Sequence, residues 1–103
     1  MDDSLDKHVF LAEAREAVST HIAFSRFVRG TESLCGSGNP FLSGEDISRF
    51  DKLWFELEIV NAGALSDWED QGKPANWINE WEATYKPDAV ELIENLVVLL
   101  QNK

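Results

Sequence analysis

Two kinds of side chain in this sequence have the types to do chemistry: a lone thiol with two histidines, and a set of closely spaced carboxylates. Cys35 with His21 would be the nucleophile and base of covalent catalysis. That pairing also needs a group to orient the base and a rigid platform for the thiol. Cys35 instead lies in residues 30–44 (GTESLCGSGNPFLSG), a stretch too rich in glycine and serine to be one. His21 falls on the apolar stripe of a helix, where a hydrogen-bonded core histidine is the expected role, and His8 falls on the polar side, where it is expected to be solvated. The run Cys35-Gly-Ser-Gly-Asn-Pro has the glycines of a phosphate loop but neither the following Lys-Ser/Thr nor a preceding strand. Asp67, Glu69 and Asp70 offer oxygens to a hard cation, yet their setting lacks the alternating ligands and the distant bidentate acid of a calcium loop. Paired carboxylates for glycoside hydrolysis would need a cleft that so short a helical chain rarely forms. The expectation is no catalytic residue, no metal, no cofactor, and a protein that is not an enzyme.

Aromatic anchors among carboxylates are the stronger signal. All four tryptophans (Trp54, Trp68, Trp77, Trp81) fall between Glu45 and Trp81, with Glu56, Glu58, Asp67, Glu69, Asp70 and Glu80 set between them. Tryptophan and tyrosine dominate interface energies, while rim charges set association rate and choice of partner. Trp77 and Trp81 stand one helical turn apart with Glu80 and Glu82 beside them, and Trp68 lies inside an acidic run. Against a surface role stands the ordinary fate of tryptophan in a small helical domain, which is the core. Trp54 is expected inside, and at least one of Trp68, Trp77 and Trp81 partly exposed. The expected partner-binding set is Glu56, Asp67, Trp68, Glu69, Asp70, Trp77, Glu80, Trp81 and Glu82.

The whole-chain numbers frame that reading. At 103 residues, 44% of them hydrophobic and 27% charged, the chain is expected to be a single domain, 1–103, with a real core. Its net charge of -10 disfavours nucleic acid and anionic membranes and steers association toward cations. The charge is uneven: residues 1–44 carry six acids against four bases, and residues 45–94 carry thirteen against four. One cysteine allows no internal disulfide, and the acidic opening Met1-Asp2-Asp3-Ser4 lacks the order of a signal peptide. No apolar run is long enough to span a membrane, so a cytoplasmic location is expected.

The elements that must position these residues are helices. Capping by Asp3 or Ser4 and a shared face of Phe10, Leu11, Ala14, Val18, His21, Ile22, Ser25 and Val28 predict one helix over 5–29, a rod about 37 Å long stopped by Gly30. Pro40 and four glycines make 30–44 a loop, with Phe41 and Leu42 tucked back on the core. Glu45 and Asp46 open a helix over 44–65 whose stripe is Ile47, Phe50, Leu53, Trp54, Leu57, Val60 and Ala64; Phe55 and Ile59 lie on a second apolar side. Residues 67–72 read as an acidic turn. Pro74 suits the first position of a helix over 74–85, and Pro87 is expected to interrupt before a last helix over 87–101, the central staple. The result is an all-α, bundle-like domain of about four helices.

In size, acidity, single domain and lack of catalytic residues, the chain resembles the immunity proteins of bacterial toxin–immunity pairs, such as those of colicin and contact-dependent inhibition systems. The resemblance is one of type over the whole length. It implies an inhibitor that binds one cognate toxin, with no cofactor. Nuclease clefts are cationic because they hold phosphates, so the expected partner is a basic toxin domain of that kind, plugged by carboxylates. Two other classes fit the same composition. A phage nucleic-acid mimic or anti-defence protein would carry acids in rows like phosphates, with few aromatics. A helical adaptor or assembly subunit would use Phe55, Ile59 and Val98 as its exposed contacts.

Overall fold

The spine of the molecule is a 26-residue helix, Glu45–Asp70, around which shorter helices are laid. The computed structural model describes residues 3–36 and 39–101, with side chains from Lys7 onward. The order is α1 (Asp3–Glu16), α2 (His21–Gly30), a 3-10 turn (Glu32–Leu34), α3 (Glu45–Asp70), α4 (Ile78–Glu80), a π-helical turn (Trp81–Tyr85) and α5 (Lys86–Gln101). Every regular element among the described residues is a helix, as the periodicity predicts, and the molecule measures 42 × 22 × 20 Å along its principal axes.

The single helix expected over 5–29 is two helices. The chain breaks between Glu16 and His21, where Thr20 is extended (φ -144°, ψ 162°) and its hydroxyl accepts the Ala23 amide at 3.0 Å. That is an N-cap, worth about 1 kcal/mol to the helix it opens. The carbonyl of Val18 would meet the Ile22 amide in an unbroken helix. Here it accepts the indole N–H of Trp81 at 2.8 Å instead. A buried donor from the far end of the chain thus replaces the bond that the break gives up.

The helix expected over 44–65 runs five residues further, through Gly63 and into the stretch expected to be an acidic turn, of which Gln71 and Gly72 alone remain a turn. At Gly63 a Cβ would meet the Tyr85 ring at 3.7 Å, an ordinary van der Waals contact, so the π turn packs beside the spine without requiring glycine there. The helix stops at Gly72 (φ 87°) by a Schellman arrangement: the Gly72 amide returns to the Glu69 carbonyl and the Lys73 amide to that of Trp68. Residues 74–77 are not helical, so Pro74 does not open a helix there; the next one starts at Ile78. Pro87 does not interrupt either. It lacks the N–H that the carbonyl four residues back would accept, and the chain widens by one residue per turn just before it, so that the Lys86 amide reaches the Trp81 carbonyl. Residues 78–101 therefore run on as one rod.

α5 is the central staple. It packs against both α1 and α3 and buries Ala89, Ile93, Leu96, Val97 and Leu100. Phe24, Val28, Phe50 and Leu57 complete the middle of the core, and Phe10 lies 5.6 Å from the rings of both Phe27 and Phe41. The described part of the 30–44 connection is tied down. The Gly36 amide donates to Asp51 at 3.0 Å, and the Asn39 side chain accepts the amides of Phe41 (2.8 Å) and Leu42 (3.1 Å). Leu42 is buried as expected, and Phe41 half-buried.

Candidate functional site

Where the C-terminal end of α3 meets the π turn, polar and aromatic side chains form one network. The Trp77 indole donates to Gln71 Oε1 at 2.9 Å, Gln71 Nε2 donates to Asp67 Oδ1 at 3.2 Å, and the Tyr85 hydroxyl donates to Asp67 Oδ2 at 3.1 Å. Tyr85 is held above its ordinary pKa by desolvation and by Asp67, so it remains a donor. The Trp68 indole donates to the Pro74 carbonyl at 3.0 Å, closing the α3–α4 connection onto the helix end. His21 sits between the Trp68 and Trp77 rings, 4.9 Å from each. Its burial pushes the imidazole below its usual pKa, and its Nε2 finds no partner among the described residues. The core histidine expected from the sequence is there, packed between rings, but its Nε2 lacks the hydrogen bond expected of it among the described residues.

The tryptophans that read as a surface pair belong to the core. Trp81 is 0% exposed, tilted against Phe24 at 5.3 Å, and Trp77 is 3% exposed. Glu80 and Glu82 do face solvent. Four-residue spacing puts Trp77 and Trp81 on one face, and hydrophobic burial turns that face inward while the acids beside it face water. Both residues therefore leave the contact set. Trp68 is half-buried, and Trp54 is half-buried with its indole donating to the Val28 carbonyl at 2.9 Å. Trp54, expected inside, is only half-buried, and it ties α3 to α2.

The acids divide as sharply. Asp67 is half-buried and has both carboxylate oxygens occupied, which makes it a structural hub. Glu69 and Asp70 are exposed and, among the described residues, paired with no cation. Glu82 makes a long contact to Lys86 (3.8 Å), a helix-surface pair of small worth. Glu56 lies elsewhere, in a groove between α3 and α5. Sequence reasoning missed Gln71 and Tyr85; the only local signal was Gln71 standing one helical turn after Asp67.

The last turn of α3 carries acids and no base. A helix C-terminus is the negative end of the dipole, where each carboxylate costs roughly 0.3–1 kcal/mol at low salt. Such an arrangement lowers the stability of the free protein and is relieved by a cation.

The nucleophile pair is not assembled. Cys35 lies beside Asp51 and His21 beside Trp68, and those two positions on α3 are roughly 25 Å apart at 1.5 Å per residue. Desolvation first, then the Asp51 carboxylate, pushes the Cys35 thiol up to about 11, so it stays protonated at neutral pH. Among the described residues no three His, Cys, Asp or Glu side chains converge as a metal site, and no helix is long and apolar enough to cross a membrane. No protein-family model matches the chain, and no curated protein or solved structure matches it either.

Proposed function

We propose that this protein is an acidic binding module that captures a basic protein partner, in the manner of an immunity protein neutralising a cationic toxin such as a nuclease. The observation that carries the reading is the end of α3. Glu69 and Asp70 stand exposed and, among the described residues, in no ion pair at the negative end of the longest helix, with Glu80 and Glu82 on α4 and the π turn. Local electrostatics oppose that placement, and residues that break a local rule without a structural return are candidates for function. A lysine- or arginine-rich surface docked there would satisfy both the carboxylates and the helix end.

The test follows from that conflict. The double variant Glu69→Gln/Asp70→Asn is expected to raise thermal stability slightly while slowing association with a purified cationic nuclease domain about tenfold at low salt. Association at an unchanged rate removes this end of α3 from the site. Failure of every cationic nuclease domain in a panel to bind sinks the toxin-inhibitor reading. The adaptor class is favoured by one observation of its own: Phe55, Ile59 and Val98 are 61%, 57% and 51% exposed.

A further inference from the structure

Two of those exposed apolar residues, Ile59 and Val98, border a groove whose shape and charge specify an occupant. The N-terminal half of α3 lies beside the C-terminal half of α5, and the middle of α3 lies beside the start of α5, so the two helices run antiparallel. Between them runs an apolar floor of Leu53, Ile59, Val60, Leu92, Val98 and Leu99. Glu56 and Asn95 mark its middle. One end is rimmed by Arg49 and Lys52, the other by Asp88 and Glu91. Two apolar patches, one on each side of the polar pair Glu56 and Asn95, are left open to solvent between two packed helices, as in a helix seat.

We infer that this groove receives an amphipathic helix of the basic partner, docked antiparallel to α3. The inference rests on the proposed function for the sign of the partner's charge. Three things argue for this occupant. The floor supplies apolar contacts over about two turns of α3, from Leu53 to Val60, which is the span of a helix bearing residues at i, i+3, i+4 and i+7. The rim is charge-polar along its length, so a helix whose positive N-terminal end lies at Asp88 and Glu91, and whose negative C-terminal end lies at Arg49 and Lys52, meets both ends favourably. The net charge of -10 opposes the approach of a second copy and favours a cationic chain.

The probe is a synthetic 18-residue helix with leucine at i, i+3, i+4 and i+7 positions and lysine elsewhere, carrying a nitroxide on its first or its last residue. It is titrated into the isotopically labelled full chain. Val98→Asp and Ile59→Asp change exposed positions and are each expected to raise the dissociation constant at least about tenfold without unfolding the protein. The N-terminal nitroxide is expected to broaden the amides around Asp88–Leu92, and the C-terminal one those around Arg49–Leu53. Reversed broadening overturns the orientation. Lysine-peptide binding that neither groove variant weakens overturns the seat and leaves the basic-partner reading standing. An otherwise identical glutamate peptide that binds as tightly defeats the basic-partner reading and, with it, the cationic occupant. Sedimentation showing a dimer that Val98→Asp splits assigns the groove to a second copy and overturns the proposal.

Discussion

At the scale of the residue, the same side-chain types have come to opposite uses according to what surrounds them. Asp67 and Asp70 are one helical turn apart, yet the first is fixed between Gln71 and Tyr85 and the second faces water. His21 shows the sharper consequence. Its imidazole is buried between two indoles and titrates below the ordinary value of 6.5. In the unfolded chain it takes up a proton near 6.5, whereas in the folded chain it does so only at lower pH. Between those two values the unfolded state binds more protons, so stability falls as pH falls through that window. Urea midpoints at pH 7.5 and 5.0 are expected to drop further for the native protein than for His21→Phe, which cannot titrate. Equal drops would mean that the ring is not held neutral by the fold. None of this could be read from position alone. The apolar stripe placed His21 inside correctly, but the rings that enclose it come from Trp68 and Trp77, some fifty residues away in the chain.

At the scale of the element, the departures from expectation share one cause: a distant side chain settles a local choice. Helix content, the 47-50-54-57 stripe of α3, the acidic opening of α3 and the role of α5 were legible because periodicity and capping are local signals. The break before α2 was not, although Ser19-Thr20 carries a capping residue, because the same two residues also fit the polar face of an unbroken rod. The Trp81 indole on the Val18 carbonyl decides between them. Pro87 misled for a related reason, since the rule that proline ends a helix assumes that the preceding turn cannot widen. The candidate site was half legible: the acids near the end of α3 could be named, but whether each faces solvent or the Tyr85–Gln71 network depends on the π turn. A sign test separates the two pictures of the first forty residues. In a continuous helix Thr20→Ala would stabilise, because alanine is the better helix former. With Thr20 as N-cap of α2, the same change is expected to cost about 0.5–2 kcal/mol by urea denaturation, while Ser19→Ala stays near neutral. A stabilised Thr20→Ala protein would restore the single rod.

At the scale of the whole molecule, net charge acts on folding and on binding with opposite signs. The ion pairs Arg49–Asp46 (3.4 Å) and Lys86–Glu82 (3.8 Å) are surface contacts within single helices, worth little each, so screening them loses little. Repulsion among nineteen acids against nine bases is the larger electrostatic effect on the fold, and salt relieves it. The same screening would shorten the range over which the acid-rich half, residues 45–94, attracts the proposed cationic partner, from roughly 30 Å at 0.01 M to roughly 3 Å at 1 M ionic strength. Raising sodium chloride from 0.02 to 0.5 M is therefore expected to raise the melting temperature by a few degrees. Over the same range it should lower the association rate with a cationic nuclease domain by about one to two orders of magnitude, with a far smaller change in dissociation. Stopped-flow association and thermal melts on the same samples measure both. A melting temperature that falls with salt would show that attractive pairs, not net repulsion, dominate the fold. An association rate indifferent to salt would leave the carboxylates at the end of α3 as an unexplained cost to stability, and would shift the search for the partner to the apolar groove alone.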